Sequence, residues 1–319
     1  MSMLVTGAAG FIGSTLVRRL LADGQVVIGI DSLTDYYDPS LKRSNLDALS
    51  HPAFTFLRAD INSSNLPELL DGVDVVFHLA GQPGVRRSWG EEFQEYIDAN
   101  IAATQKLLEA MRSLPRPPRL VYASSSSIYG DAESYPTGET ASPRPRSPYG
   151  VTKLAAEHLC RLYAADFGLH TVSLRFFTVY GPGQRPDMAF TRFLRAAVEA
   201  TPITLYGTGE QVRDFTYVDD IVDAVVRAGT LEVAAGSVYN VSGGGSHSVN
   251  EVLDVVRRLV DHDLVIDRQA RAAGDVLRTG ADISAITRDL GWRPRFDLES
   301  GLRAQLAWVR ATSVAGPGV

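Results

Sequence analysis

The sequence predicts an α/β fold, a Rossmann-like doubly wound parallel sheet followed by a smaller C-terminal α/β lobe. A glycine-rich turn follows the first apolar run, and apolar runs then alternate with helical patterns as far as residue 180. Such alternation is typical of a parallel sheet with helices on both faces. Beyond residue 180 the segments are shorter and no second glycine fingerprint occurs. We therefore expect a Rossmann domain over 1–180, a mainly substrate-binding lobe over 181–311 and a disordered tail over 312–319.

The first element is a strand, a tight turn and a helix. An apolar run ends in Gly7, Gly10 and Gly13, and apolar residues then recur at helical spacing over 14–21. Glycine suits this turn because a side chain would hold a pyrophosphate away from the backbone N–H groups at the helix N-terminus. Asp31 ends the second apolar run 18 residues past Gly13, near the offset of ~20 for an acid that binds an adenosine ribose. The turn alone would also fit tight packing, but with its strand, helix and acid it favours a dinucleotide site.

The other elements follow in chain order. Further strands are predicted over 26–30, 54–58, 73–79, 119–123 and 171–177, and helices over 91–112, 149–167, 189–199, 218–228, 249–260, 282–290 and 298–310. The segment 32–51 is expected to form a loop and a short helix, and the Pro-rich segment 136–148 a surface loop. Asp60 follows the third strand, where it would suit either an adenine amino group or a helix N-cap. His78 is expected to be a core residue rather than a ligand.

The composition argues against several classes of function. The chain has 319 residues, of which 45% are hydrophobic and 21% charged, as in ordinary globular proteins. The net charge of −6 offers no basic face for nucleic acid or anionic lipid, and no apolar run approaches the ~20 residues that span a bilayer. Cys160 is the only cysteine, so we expect neither a disulfide within the chain nor a thiolate metal site. The first strand begins too early for a secretory signal. The expectation is a cytoplasmic, metal-free protein without nucleic-acid or membrane partners.

Tyr149 and Lys153 form the candidate centre for proton transfer. They lie four residues apart at the start of a predicted helix, so the phenol and the ammonium share one face. A tyrosine of pKa ~10 needs help to act as a base at neutral pH, and a nearby ammonium and a positive nicotinamide both favour the phenolate. Ser125 lies in the serine run after the fifth strand and can share a hydrogen bond with the hydroxyl being oxidised. The pair alone could be an inconsequential surface pair, but the glycine turn and the serines favour the catalytic interpretation.

The motifs Gly7-x-x-Gly10-x-x-Gly13, Ser125 and Tyr149-x-x-x-Lys153 resemble those of the extended short-chain dehydrogenase/reductases, the nucleotide-sugar epimerases and dehydratases. The resemblance covers nearly the whole chain. It implies a first step in which the tyrosinate takes the proton from the sugar O4 while the C4 hydride passes to NAD, giving a 4-keto sugar. It also implies a homodimer, through the helices near Ile101 and Ala155. The residues implied to contact NAD are Gly7, Gly10, Phe11, Ile12, Gly13, Asp31, Asp60, Ile61, Leu79, Ala80, Gly81, Asn100, Ser124, Tyr149 and Lys153.

The resemblance also implies a site for a UDP-sugar. The segment 213–220 is similar to a family motif whose arginine, here Arg213, contacts the diphosphate. Arg271 and Asp275, in a less exact match, fall where the family holds the nucleoside. The run Gly84-Val85-Arg86 resembles the epimerases and is expected to line the sugar site through Arg86. Ser125, Ser126, Ser127 and Tyr149 are also implied to contact substrate.

The residues after Ser125 bear on the second half of the reaction. Family dehydratases carry Asp-Glu at these two positions, and UDP-glucuronate decarboxylases carry Glu in the second. This chain has Ser126 and Ser127, so dehydration lacks its acid and the decarboxylase pattern is not matched. The reaction that remains is return of the hydride to the opposite face of C4, which is epimerisation.

The run 178–189 bears on the substrate. It is similar to that of UDP-glucuronate 4-epimerases, where the threonine and the arginine, here Thr178 and Arg185, hold the sugar carboxylate. A hydroxyl and a guanidinium suit an anion better than a CH2OH group, although Arg185 could instead pair with Asp187 in the same loop. We expect an NAD-dependent 4-epimerase that converts UDP-glucuronate to UDP-galacturonate. The alternatives are a 4-epimerase of UDP-glucose or UDP-N-acetylglucosamine, a UDP-glucuronate decarboxylase, a sugar-nucleotide dehydratase, or a non-enzymatic cofactor-binding sensor.

Overall fold

The computed structural model describes residues 1–270 and 276–314, so Arg271 and Asp275 lie outside the described residues. Its strands are β1 (Ser2–Thr6), β2 (Val26–Asp31), β3 (Phe54–Arg58), β4 (Val75–His78), β5 (Arg119–Ser125), β6 (Thr171–Phe176), β7 (Val179–Tyr180), β8 (Ile203–Tyr206), β9 (Val212–Asp214), β10 (Thr216–Tyr217), β11 (Ser237–Val241), β12 (Ser246–Ser248) and β13 (Ile266–Gln269). Its helices are α1 (Phe11–Ala22), α2 (Pro39–Asp47), α3 (Leu66–Leu70), α4 (Phe93–Tyr96), α5 (Ala103–Arg112), α6 (Pro148–Phe167), α7 (Ala189–Val198), α8 (Val218–Thr230), α9 (Val249–Val260), α10 (Ser284–Leu290) and α11 (Leu298–Val314).

Seven parallel strands form the central sheet, in the order β11-β6-β5-β4-β1-β2-β3. The chain starts in the middle of the sheet and winds outward in both directions, which confirms the predicted doubly wound fold. The central strand β4 is buried along its whole length, as expected where helices cover both faces. One core lies between the sheet, α1 and α8, and a second lies on the opposite face under α3, α5 and α6. The strand order reverses between β1 and β4, where open α/β sheets bind their ligands.

The predicted domain boundary at residue 180 does not separate the sheet from the rest of the chain. Strand β11 pairs with β6 in parallel, from Ser237 beside Val172 to Val241 beside Phe176. Helix α8 packs against α1 and against β4, β5 and β6. The sheet therefore extends past residue 180, because the edge of β6 and the apolar surface of β4 and β5 need partners that only the later sequence supplies. The two-stranded pairs β7–β10, β8–β13 and β9–β12 lie outside the seven-stranded sheet.

Two further predictions about helices need correction. The predicted helix over 91–112 is divided into α4 and α5 by a π-helical turn, Ile97–Ala102. The last helix continues to Val314, so residues 312–314 are helical although a disordered tail was expected from residue 312. Residues 315–319 lie outside the described part of the chain. Within the described ranges, no helix combines the length and the apolar character that a membrane crossing requires.

Candidate active site

The glycine turn between β1 and α1 brings the backbone against the end of β4. Gly7 has φ +71°, and a Cβ there would lie 2.9 Å from the backbone N of Ala80. A Cβ at Gly13 would lie 2.0 Å from the carbonyl O of Gly7. Tight backbone packing therefore requires glycine at these two positions. Helix α1 begins directly after Gly10 with no side-chain cap, so the N–H groups of its first turn remain for an anion.

A cavity of about 660 Å³ extends along the carboxyl ends of the strands. This volume is in the range of small-molecule and cofactor sites. All fifteen residues predicted to contact NAD line it: Gly7, Gly10, Phe11, Ile12, Gly13, Asp31, Asp60, Ile61, Leu79, Ala80, Gly81, Asn100, Ser124, Tyr149 and Lys153. Residues from distant parts of the chain thus meet at one site because parallel strands bring their carboxyl ends to one edge.

Asp31 lines this cavity, and its carboxylate is held by backbone hydrogen bonds and by a lysine. Its carboxylate accepts hydrogen bonds from the backbone N of Ala9 at 3.2 Å and of Leu33 at 2.8 Å. Lys42 Nζ lies 3.6 Å from Asp31 Oδ1, and both side chains are 8% exposed. Lys42 also lines the cavity, but its polar segment carries no pattern that singles it out. Asp60 accepts a hydrogen bond from the N of Asn62 at 2.8 Å, so it stabilises a turn and does not cap α3.

Tyr149 and Lys153 lie on the first turns of α6. Ser147 caps this helix by accepting a hydrogen bond from the N of Gly150 at 3.1 Å, and Pro148 occupies the first helical position, as is common. The helix thereby begins one residue before Tyr149, and its first two turns project both side chains into the cavity. Ser125, 9% exposed, ends β5 and accepts a hydrogen bond from the N of Ser127 at 3.1 Å.

The electrostatics of this pair differ from the expectation. Burial raises the pKa of Tyr149, while the Ser125 hydroxyl and the Arg185 guanidinium lower it. Arg185, rather than Lys153, is thus the charged side chain that acts against burial on the Tyr149 pKa. Burial lowers the pKa of Lys153 to about 8, against the opposite effects of Cys160 and Glu157. Lys153 Nζ lies over the ring of Tyr122, 4.6 Å from its centroid.

Asn100 ties the loop after β4 to the start of α6. It is 1% exposed and lies in the π-helical turn. Its Oδ1 accepts a hydrogen bond from the N of Gln82 at 2.8 Å, and its Nδ2 donates to Thr152 Oγ1 at 3.0 Å. A Cβ at Gly81 would lie 2.6 Å from Asn100 Oδ1, so glycine is needed where the loop passes. No local pattern in the sequence indicates this turn.

A second, smaller cavity of about 160 Å³ collects the predicted sugar-nucleotide residues Arg86, Ser126, Ser127 and Arg213. Arg213 donates to the carbonyl O of Val212 at 2.8 Å, and the Arg86 guanidinium stacks on Tyr206, 4.2 Å from the ring centroid. Arg146, which the sequence analysis did not single out, adds a third guanidinium. Three guanidinium groups around a small cavity suit a phosphorylated ligand.

Of the two residues predicted to bind a sugar carboxylate, only Arg185 lines one of these two cavities. Arg185 lines the larger cavity together with Tyr149. It also forms the alternative pair with Asp187, through two hydrogen bonds of 2.9 Å. Thr178 lines neither cavity, and its carbonyl O accepts a hydrogen bond from the N of Thr216 at 2.9 Å. The expected contact of Thr178 with a ligand therefore has no support from the cavity geometry.

His78 is a core residue, as predicted. It is fully buried on β4 between Thr6 Oγ1, 2.8 Å from Nδ1, and Thr104 Oγ1, 3.1 Å from Nε2. Burial, assisted by the charge of Lys153, lowers its pKa to about 3. The ring therefore stays neutral at ordinary pH.

Residues 3–242 match the NAD dependent epimerase/dehydratase family. The chain is 42% identical to the "Uncharacterized UDP-glucose epimerase YtcB" of Bacillus subtilis, over 97% of this chain and 98% of that protein. It is 38% identical to the UDP-glucuronate 4-epimerase of Thermodesulfobacterium geofontis, over 96% and 95% respectively. The UDP-glucuronic acid 4-epimerase of Bacillus cereus, in complex with UDP-glucuronic acid and NAD, superposes with a TM-score of 0.94 at 41% identity, covering 98% of this chain and 100% of that one.

Proposed function

This chain belongs to the NAD-dependent epimerase/dehydratase family, and on that premise we propose that it is an NAD-dependent isomerase that interconverts UDP-glucuronate and UDP-galacturonate. The observation that carries the proposal is the placement of Arg185 on the wall of the cavity that also holds Tyr149 and Lys153. A guanidinium beside the catalytic pair suits a sugar acid. The names and ligands of the relatives from Thermodesulfobacterium geofontis and Bacillus cereus agree with this substrate.

The residues of the larger cavity fit NAD. The glycine turn lets a pyrophosphate approach the uncapped first turn of α1, and the Asp31 carboxylate would accept hydrogen bonds from the adenosine ribose. Gly81 leaves room beside Asn100 and Lys153. Bound there, NAD supplies the hydride acceptor and donor that epimerisation needs.

Tyr149 would take the proton from the sugar O4 and return it when the ketone is reduced. Its phenol must therefore ionise within reach of neutral pH, although burial alone raises the pKa. The Ser125 hydroxyl and the Arg185 guanidinium both lower that pKa. Ser125 would also orient the sugar by a hydrogen bond to the reacting oxygen.

The smaller cavity supports epimerisation over dehydration. Ser126 and Ser127 supply hydroxyl groups where a dehydratase needs an acid and a base. Among the described residues that line this cavity none is a carboxylic acid. The two positions after Ser125 therefore supply no acid to drive loss of water, so reduction of the 4-keto sugar on the opposite face would be the available course.

We further propose a cytoplasmic homodimer. On α6 the apolar side chains of Val151, Leu162 and Phe167 are 48%, 54% and 52% exposed, which suits a helix that packs against a second copy. The lone Cys160 is buried, in keeping with a compartment where disulfides are rare. Sedimentation equilibrium tests the dimer, and a monomer at micromolar concentration would refute it.

Incubation with a panel of UDP-sugars, without added cofactor, tests the proposed reaction. We expect purified protein to convert UDP-glucuronate to UDP-galacturonate with NAD that it retains from the cell. Preferred turnover of UDP-glucose or UDP-N-acetylglucosamine would support the alternative epimerases, which the name of the Bacillus subtilis relative favours. Release of CO2 or water would indicate a decarboxylase or a dehydratase. No conversion of any sugar would indicate a cofactor-binding sensor.

A further inference from the structure

Asp187 holds the Arg185 side chain along one edge. Arg185 Nε and Nη2 donate to the two carboxylate oxygens of Asp187, each at 2.9 Å. Paired hydrogen bonds of this kind fix the plane of the guanidinium as well as its position. The Arg185 and Asp187 side chains are 18% and 40% exposed, so the guanidinium is mostly buried while the carboxylate that holds it is partly open to solvent.

The opposite edge of the guanidinium has no hydrogen-bond partner among the residues that the structure describes. Nη1 of Arg185 makes no hydrogen bond to any residue within the described ranges, although the side chain is mostly buried. A guanidinium carries five N–H donors. One carboxylate at Nε and Nη2 therefore leaves the Nη1 side for a second carboxylate in the cavity that Arg185 lines.

Tyr36 supports Arg185 from the side. The guanidinium lies 5.7 Å from the centroid of the Tyr36 ring, and Arg87 lies 4.6 Å from the same ring. The Tyr36 hydroxyl lies only 2.3 Å from where a Cβ would be at Gly84, so the ring is packed closely against that loop. Arg87 is in turn bound to Glu92 at 2.8 Å. Arg185 thus rests on a side chain that is itself held in place.

We propose that Asp187 is a positioning residue for Arg185, which it holds so that the Nη1 edge meets the C6 carboxylate of the sugar. This inference rests on the proposed function. A long arginine side chain that is already immobilised loses less conformational entropy when it binds an anion. While paired with Asp187, Arg185 still lines the cavity that Tyr149 lines, and its charge lowers the Tyr149 pKa. This supports positioning over competition with the substrate.

The variant Asp187→Asn, which keeps the size of the side chain and removes its charge, tests the proposal. Calorimetry on NAD-loaded protein measures the preference for UDP-glucuronate over UDP-glucose as a ratio of dissociation constants. We expect Asp187→Asn to reduce this preference about tenfold and to raise KM for UDP-glucuronate more than it lowers kcat. Asp187→Glu keeps the carboxylate and is expected to retain most of the preference, which separates a positional effect from a folding defect.

A double-mutant cycle and a matched ion pair complete the test. In the Arg185→Ala background Asp187→Asn should change the preference no further, because both variants act through the same guanidinium. Asp254→Asn breaks the exposed Asp254–Arg257 pair of α9, 2.7 Å long, and should leave the preference unchanged.

Four outcomes would overturn the inference. A preference that rises in Asp187→Asn would make Asp187 a competitor of the substrate. An unchanged preference, or additive effects in the double variant, would show that Asp187 does not act through Arg185. A wild-type protein that binds UDP-glucuronate no better than UDP-glucose would instead refute the proposed substrate, and the role of Asp187 with it.

Discussion

Glu157 and Arg175 form an ion pair that is closed to solvent beneath the catalytic helix. Arg175 Nη2 and Nε donate to the Glu157 carboxylate at 2.6 and 3.0 Å, and the two side chains are 4% and 0% exposed respectively. The hydroxyl of Ser124 donates to the same carboxylate at 2.6 Å. Glu157 lies one turn beyond Lys153 on α6. The pair therefore joins the helix that carries Tyr149 to the ends of β5 and β6.

Removal of one partner from this pair should destabilise the protein severely. Glu157→Gln leaves the Arg175 guanidinium charged and buried, and we expect the free energy of unfolding to fall by about 3–5 kcal/mol. Urea titration, monitored by circular dichroism, measures this free energy of unfolding. Asp254→Asn, which breaks an exposed pair, should cost no more than about 1 kcal/mol. If Glu157→Gln lowered the free energy of unfolding by only about 1 kcal/mol, the assigned role of the buried pair would be contradicted.

Tyr149→Phe should retain the fold and the bound NAD but lower kcat by roughly 100- to 10,000-fold, because it deletes the proton acceptor. Coupled or chromatographic assay of UDP-galacturonate formation measures the change. Tyr122→Phe is the matched control. It removes a buried hydroxyl that has no hydrogen-bond partner in the described part of the chain, while the ring that underlies Lys153 remains. If Tyr149→Phe turned over substrate at the wild-type rate, this would contradict the proposed role of Tyr149 as the proton acceptor.

Lys153→Met should lose activity and also bind NAD less tightly, since the ammonium lies on the wall of the cofactor cavity. The NAD content of the purified variant measures this. If the variant retained its full NAD content but lost turnover, Lys153 would act in the chemical step and not in cofactor binding.

The purified wild-type protein should carry NAD, because the hydride returns to the substrate in every turnover and the cofactor has no need to leave. Asp31 should set the choice of cofactor, since its carboxylate would repel a 2′-phosphate. Acid extraction and chromatography of the released nucleotide identify the cofactor. Asp31→Asn should lower the retained NAD, and NADP in the wild-type extract would contradict the assignment.

Arg185→Ala should raise KM for UDP-glucuronate by about 10- to 100-fold and change KM for UDP-glucose little, because a charged hydrogen bond to the carboxylate contributes roughly 1.5–3 kcal/mol. Oxidation at C4 makes the substrate a β-keto acid, which loses CO2 when the C5–carboxylate bond aligns with the carbonyl π system. A freed carboxylate could reach that alignment, so a 4-keto-pentose should also appear among the products. Equal changes in KM for both sugars, with no new product, would show that Arg185 does not bind the carboxylate.

His78 should make the protein sensitive to mild acid. Because the fold lowers the His78 pKa from 6.5 to about 3, only the unfolded chain binds this proton between those values. The free energy of unfolding should therefore fall as the pH drops below 6.5, by about 1.4 kcal/mol per pH unit from this group. Urea titrations at pH 6.5, 5.5 and 4.5 measure the slope. His78→Asn should reduce it by about one proton, and an unaltered slope would contradict the assignment.

The parts of the site that the sequence predicted follow from local patterns, together with the fact that parallel strands bring their carboxyl ends to one edge of the sheet. Gly7, Asp31 and Tyr149 each stand at an element boundary that the apolar periodicity marks. Since strand ends converge in this fold, their meeting in one cavity needed no knowledge of side-chain packing.

What sequence reasoning missed depends on contacts between segments far apart in the chain. Lys42 approaches Asp31 from helix α2, and Arg146 reaches the smaller cavity from a Pro-rich loop. The π-helical turn that carries Asn100 widens one turn of the helix. It leaves the spacing of the apolar residues close to that of an α-helix, so the sequence does not reveal it. For Arg185 the sequence offered two alternatives, and the structure satisfies both the pair with Asp187 and the place on the cavity wall.

The late arrival of β11 at the sheet bears on how the protein is made. During synthesis, β6 leaves the ribosome more than sixty residues before Ser237–Val241, the strand that covers its outer edge. Until then this six-residue strand has unpaired backbone groups along one edge, which is a template for aggregation. Translation that stops near residue 180 would leave that edge permanently open. The nascent enzyme should therefore depend on chaperone protection until residue 241 has emerged.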